Sequence, residues 1–284
     1  MNENMVVQWF PGHMAKTRRL IKESLSMVDA VCELVDARIP ESSRNPELSE
    51  LIGSKPRIVL LNKCDLADDN ATAEKIKEFR EQGITALAVD CRSGRGLDKF
   101  QPAVREVLKE RIRLNAEKGM AGKALRVMVV GIPNTGKSSF INRMSGKYRA
   151  KVADKPGVTR GNQWFAIGSG IELLDTPGVL WPKFEDPEVG FKLAFIGSVK
   201  DEILDCQEIA VRLLKVMQKN YPDRLAGRYK ITDFEDVEEP YELLEMIAAK
   251  RGMLLRRGEY DTERAAVMLL DEYRAGKLGK ITLD

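Results

Sequence analysis

The chain has 284 residues, 43% of them hydrophobic and 31% charged, enough apolar material for a packed core and too much for a disordered polymer. A formal net charge of +3 is too small to imply nucleic-acid binding from bulk charge, and the length suits one α/β nucleotide-binding domain plus a smaller second unit. Cys32, Cys64, Cys91 and Cys206 stand far apart with no Cys-x-x-Cys pair, which argues against a zinc site or a disulfide framework and for a reducing, cytoplasmic setting.

The first residues are polar, and Trp9-Phe10-Pro11-Gly12 stands where a secretory leader would place its apolar run. No stretch approaches about 18 uninterrupted apolar residues, so secretion and membrane insertion are not expected. Lys16–Met27 reads as a basic helix within an N-terminal arm, residues 1–27. Short runs rich in Val, Ile and Leu then recur: Val28–Val35 ending at Asp36, Arg57–Leu61 at Asn62, Ile84–Val89 at Asp90, Leu125–Val130 at Gly131 and Ile171–Leu174 at Asp175. They predict buried parallel strands whose C-terminal ends carry ligands. Gln163–Ile167 is expected as an antiparallel partner of Ile171–Leu174 through Gly168-Ser169-Gly170. Ala73–Gln82 and Leu97–Lys118 have helical periodicity and supply crossovers. A boundary is expected at Asp186-Pro187, separating a domain over 1–186 from a helical one over 187–284, where Cys206–Asn220, Pro240–Arg251 and Thr262–Ala275 carry apolar residues at helical period. The first 186 residues hold 30 Lys+Arg against 24 Asp+Glu, the remainder 16 against 19. The positive excess includes a cluster of Arg143, Lys147, Arg149, Lys151, Lys155 and Arg160 that could meet RNA phosphates, or else be a solvated loop.

Gly131-Ile132-Pro133-Asn134-Thr135-Gly136-Lys137-Ser138 satisfies G-x-x-x-x-G-K-[ST] after a strand and before a helix. The amides of Asn134, Thr135, Gly136, Lys137, Ser138 and Ser139 are expected to cradle phosphates, Lys137 to reach the β- and γ-phosphates, and the Ser138 hydroxyl to ligate Mg²⁺. Asn62-Lys63-Cys64-Asp65 is an N-K-x-D pattern. The Asp65 carboxylate can accept from guanine N1–H and the exocyclic amine, a pair adenine lacks. Asn62 is expected to brace the loop and meet the O6/N7 edge, and the Lys63 stem to cover one face of the base. Asp175-Thr176-Pro177-Gly178 fits D-x-x-G, placing Asp175 at Mg²⁺ and the Gly178 amide at the γ-phosphate. Thr159 is the candidate switch hydroxyl for the same metal. The amides of Cys91, Arg92 and Ser93, after the strand ending at Asp90, are candidates to face guanine O6.

The N-K-x-D pattern precedes the phosphate loop, the reverse of the usual order. Cutting and rejoining the sheet elsewhere leaves strand positions unchanged, so such a site can still assemble. With Trp9-Phe10-Pro11-Gly12-His13-Met14-Ala15-Lys16 and Asp36-Ala37-Arg38-Ile39-Pro40, the whole chain resembles the circularly permuted ribosome biogenesis GTPase A family. The resemblance implies a P-loop GTPase domain with permuted motif order plus a small C-terminal all-helical, RNA-contacting domain. It further implies GTP-dependent binding to the large ribosomal subunit (rRNA and ribosomal proteins), stimulated hydrolysis and a cytoplasmic location. Oligomeric state stays open, a monomer being the working reading. Val179 and Leu180 stand where many GTPases place a water-positioning Gln. His13, the only histidine, is the candidate for that task, as family resemblance supports, with an RNA contact or helix cap as its alternative. Asn134 could help hold K⁺ beside the phosphates, or simply suit a tight turn. Two rival functions remain at this level: a signalling or RNA-modification GTPase, and an RNA-binding module with a structural nucleotide in which Trp9, Phe10, Trp164 and Trp181 stack on bases.

Overall fold

The computed structural model describes residues 13–146, 163–181, 184, 186–199 and 205–284, with the backbone alone for 13–18. Its strands are β1 (Ala30–Asp36), β2 (Arg57–Asn62), β3 (Thr85–Ala88), β4 (Leu125–Val130), β5 (Gln163–Ala166) and β6 (Ile171–Asp175). Among the described residues they form one six-stranded sheet in the order β3-β2-β1-β4-β6-β5. Every neighbouring pair is parallel except β5 and β6, which form a hairpin. Gly168, Ser169 and Gly170 all take positive φ in its turn, a conformation that glycine adopts without strain.

The order explains how a rotated sequence builds a complete site. β1, the first strand of the chain, lies at the sheet's centre beside β4, which feeds the phosphate loop. Asp36 stands opposite Asn62 across β1 and β2, and Val129 opposite Asp175 across β4 and β6. The motif-bearing strand ends therefore share one edge, where open α/β sheets bind ligands.

Alternation along the strands divides the core into two layers. Cys32, Leu34, Ile58, Leu60, Val127 and Val129 pack with Phe100, Val104, Phe140 and Ile141, where the Phe100 and Phe140 rings meet edge to face at 5.0 Å. Val35, Val59 and Leu61 pack on the other face with Phe79. The covering helices are α1 (His13–Leu25), α2 (Pro46–Ile52), α3 (Asp69–Glu81), α4 (Phe100–Val107), α5 (Lys109–Glu117) and α6 (Lys137–Ser145). The single helix expected over Leu97–Lys118 is a 3₁₀ turn followed by α4 and α5. They part at Leu108, whose φ and ψ of −104° and 13° leave the helical region while its side chain stays buried. Ile112 of α5 still packs against the same core, while most other residues of that helix are charged.

The second compact unit spans Phe184–Leu283 and contains α7 (Pro187–Phe195), α8 (Cys206–Asn220), α9 (Pro222–Tyr229), α10 (Pro240–Lys250) and α11 (Thr262–Arg274). Asp186, expected at the domain boundary, is the N-cap of α7, its carboxylate accepting from the Glu188 amide. Ile209, Leu213, Leu214 and Met217 of α8 are buried, as are Leu243, Leu244 and Ile247 of α10 and Ala265, Leu269 and Tyr273 of α11. The guanidinium of Arg274 donates to the carbonyls of Ala194 and Phe195, satisfying the C-terminal end of α7. No described helix is long and apolar enough to cross a membrane.

Candidate nucleotide site

The phosphate loop leaves β4 at Gly131 and enters α6 at Lys137. Two glycines give it its shape. A Cβ on Gly131 (φ +147°) would lie 2.4 Å from the Leu34 carbonyl oxygen, and one on Gly136 (φ +97°) 2.3 Å from Asn62 Nδ2, so neither position accepts a side chain. No side chain caps the N-terminus of α6. The first-turn amides and the helix dipole are left for an anion. Lys137 Nζ donates to the carbonyls of Gly131 (3.0 Å) and Ile132 (2.7 Å). Burial pushes its pKa down to about 8, with the charge of Asp175 working the other way. Ser138 and Ser139 follow in the first helical turn.

The base motif is strapped to this loop by its own side chains. Asn62, 2% exposed, donates from Nδ2 to the Thr135 carbonyl at 2.7 Å and accepts at Oδ1 from the Cys91 amide at 3.0 Å. Residues 73 apart in sequence thereby become neighbours. Both polar atoms of the Asn62 amide are thus engaged between the two loops. Lys63, at φ +59°, donates from Nζ to the Asn134 carbonyl at 2.9 Å and pairs with Asp36 at 3.0 Å. Asn134 sits at φ +61°, a conformation asparagine tolerates in tight turns. Asp65 is exposed.

The loop after β3 differs from expectation. Besides the Cys91 amide taken by Asn62, the Arg92 amide donates to Asp90 Oδ1 (2.8 Å) and the Ser93 amide to Asp90 Oδ2 (3.1 Å). Burial would lift the Asp90 carboxyl, but the Ser93 hydroxyl and these two amides hold it below its ordinary value. The donors expected to face guanine O6 are thus engaged within the chain, because an Asp opening a turn captures the amides two and three residues on.

Across the phosphate loop, Asp175 ends β6. Among the described residues its Oδ1 is buried without a hydrogen-bond partner. Burial lifts its pKa to about 6, against the pull of Lys137 and the Thr176 amide. A buried, unsatisfied carboxylate oxygen opposite the Ser138 helix start is the donor chemistry that a hard divalent cation requires. Thr176 donates its hydroxyl to the Val129 carbonyl at 2.7 Å. Gly178 lies so close to the loop that a Cβ would sit 2.8 Å from the Pro133 nitrogen and 3.0 Å from Lys137 Nζ. Val179 donates its amide to the Gly131 carbonyl at 3.3 Å and accepts from Asn45 Nδ2 at 3.3 Å. The side chains of Val179 and Leu180 are buried and apolar, so neither can position a water.

Several expected residues fall elsewhere. Thr159, Trp9, Phe10, Lys147, Arg149, Lys151, Lys155 and Arg160 lie outside the described residues, as does the side chain of His13, whose backbone opens α1. Arg143, on α6, donates to the Ser93 carbonyl. Trp164 is 41% exposed with the Arg126 guanidinium 5.0 Å from its ring centre, and Trp181 is buried. Asp36 and Asn45, in contrast, reach the site motifs through side chains whose contacts no short motif predicts. A carboxylate ending a wholly buried strand was the available signal for Asp36.

A family model described as "50S ribosome-binding GTPase" matches residues 126–246. The chain is 48% identical over 281 residues to the ribosome biogenesis GTPase A of Priestia megaterium, covering 99% of this chain and 97% of that one. It is 47% identical over 280 residues to the protein of the same name from Bacillus cereus, covering 99% and 94%. The GNP-bound crystal structure of YlqF from T. maritima covers 95% of this chain and is itself covered to 97%, at 29% identity and a TM-score of 0.62.

Proposed function

Because this chain belongs to the ribosome biogenesis GTPase A family, and so hydrolyses GTP in the service of ribosome assembly, we propose that it acts in late maturation of the large ribosomal subunit in the cytoplasm. It binds the particle in its GTP state and leaves after hydrolysis that the particle stimulates. The observation that carries the nucleotide side of this reading is the 2.7 Å strap from Asn62 to Thr135, which makes one guanine-nucleotide site from two separated motifs. The large subunit is supported by the description of the matching family model.

Within the site, Asp65 selects guanine, Asn62 and Lys63 hold the base motif against the phosphate loop, and the Cys91-Arg92-Ser93 turn walls the base pocket. The amides of Asn134 to Ser139 and the Lys137 ammonium bind the phosphates, with the Gly178 amide turned to the γ-phosphate. Ser138, Asp175 and Thr159 would hold Mg²⁺, which neutralises charge on the phosphate oxygens when bound. His13 orients the attacking water, a task the buried Val179 and Leu180 cannot perform. Asn134 offers an oxygen ligand for K⁺ at the phosphates.

Co-sedimentation of the full chain should show retention on large subunits with a non-hydrolysable GTP analogue and loss with GDP. Recovery independent of nucleotide, or no retention at all, would favour a switch acting on another target. Single-turnover hydrolysis on the particle should fall at least about tenfold in His13→Ala with GTP affinity intact, and should run faster in KCl than in NaCl. Unchanged rates would remove His13 and K⁺, respectively, from the mechanism.

A further inference from the structure

β1 lies between β2 and β4, so any side chain joining the base motif to the phosphate loop must cross the end of β1. That end is Asp36, fully buried, followed two residues on by Arg38, the largest completely buried side chain among the described residues at 1% exposed. Taking a carboxylate and a guanidinium out of water costs several kcal/mol per ion, and apolar residues of equal size often serve stability as well or better. The pair therefore needs a reason beyond stability.

Its geometry supplies one. Arg38 donates to Asp36 Oδ1 from its own amide (3.1 Å) and from Nε (2.9 Å), and to Oδ2 from Nη2 (2.8 Å). This two-pronged grip fixes the plane of the carboxylate. Oδ2 also meets the ammonium of Lys63 at 3.0 Å, and that ammonium reaches the Asn134 carbonyl at 2.9 Å. Burial alone would raise the Asp36 carboxyl, but Arg38 and Lys63 together hold it well below the usual carboxylate range. The anion is permanent at neutral pH.

We propose that Arg38, acting through Asp36, is a positioning residue for guanine nucleotides that sets where Lys63 sits over the phosphate loop. Lys63 has a left-handed backbone (φ +59°), a strained conformation for a side-chain-bearing residue that its surroundings must hold. With Arg38 gripping both oxygens, Asp36 offers Lys63 a share of one and leaves its ammonium between carboxylate and loop. Without Arg38, the buried anion would have Lys63 as its sole counter-ion among the described residues and draw it inward, away from Asn134. Consecutive residues Asn62 and Lys63 thus hold consecutive loop carbonyls, and Arg38 stands behind the second. The inference rests on the placement of guanine against Asn62–Asp65 proposed above.

Binding of a fluorescent GDP to full-length variants tests it. Arg38→Met alone would leave a buried carboxylate short of a partner and could fail to fold. The informative variant is Asp36→Asn with Arg38→Met, which removes both charges and keeps the volume, its folding checked by thermal melting. GDP affinity should fall at least about tenfold. In a Lys63→Met background the same double change should alter affinity less than about twofold, because the lost contact runs through Lys63. Equal losses in both backgrounds would mean that the pair only supports the fold, and no loss in the first would equally overturn the inference. Should the double variant not fold, Arg38→Lys, which keeps the charge but cannot grip both oxygens, is put through the same comparison and decides by the same outcomes. Asp65→Asn isolates the underlying placement: if it does not gain affinity for xanthosine nucleotides, the guanine placement is at fault rather than the role of Arg38.

Discussion

Asp65→Asn should move the base preference of the chain from guanosine to xanthosine nucleotides. Guanine presents two donors side by side, N1–H and the exocyclic amine, and a carboxylate accepts both. An asparagine places its own NH₂ against the guanine amine, donor facing donor, while its carbonyl still accepts from N1–H. Xanthine carries a carbonyl where guanine carries the amine, so the same asparagine finds a complementary pair. Losing one charge-assisted bond and weakening the other amounts to about 3 kcal/mol, roughly a hundredfold in GDP affinity. Asp65 is exposed and, among the described residues, makes no ion pair, so the melting temperature without nucleotide should be close to that of the wild type. Competition between GDP and XDP for the variant measures the effect. Retention of the guanine preference would show that Asp65 does not read the base.

What the sequence made legible follows from where its signals are local. Strand ends were readable because an apolar run stops abruptly at Asp36, Asn62, Gly131 and Asp175, and these residues do end or follow β1, β2, β4 and β6. Helices α2, α7 and α9 escaped the periodicity argument because they are only 7, 9 and 8 residues long, too short for a 3.6-residue pattern to stand out. Their signal was proline: Pro46, Pro187 and Pro222 each occupy a first helical position, which tolerates a missing amide. The boundary expected at Asp186-Pro187 rested instead on the change from strand-like runs to helical periodicity. In the candidate site, the residue types were legible and the partners were not. Nothing in N-K-x-D states that Asn62 spends its amide on Thr135 and Cys91, or that Asp90 takes the amides of Arg92 and Ser93. Those choices depend on which strand ends become neighbours, a property of the sheet order rather than of any window of sequence.

Asn62→Ala should weaken GDP binding at least about a hundredfold and also lower stability, and both effects have one origin. β2 and β4 are separated by β1, so no ladder hydrogen bond can tie the base motif to the phosphate loop, and a side chain must bridge the gap. Asn62 does so with a donor to the Thr135 carbonyl and an acceptor for the Cys91 amide. Alanine leaves both backbone groups without these partners, at about 1–3 kcal/mol for each buried group left unsatisfied. Gly136 approaches Asn62 so closely that a Cβ there would lie 2.3 Å from Nδ2, so the cavity left by truncation opens directly beneath the loop. Asn62→Asp provides a graded control. It keeps the acceptor for Cys91 but turns the donor facing Thr135 into a charged acceptor, so its loss of GDP affinity should be at least as large as that of alanine, while isosteric Asn62→Leu restores volume without either bond. Melting each variant with and without GDP separates the two consequences, since ligand stabilisation scales with affinity. If Asn62→Ala keeps GDP affinity within about threefold of the wild type, the strap is a structural detail and the two motifs are held together by other means. If affinity falls as expected, the bridging side chain explains why motif order can be reversed along the chain without harm: what the nucleotide requires is the side-by-side placement of strand ends, and Asn62 secures that placement whichever motif comes first.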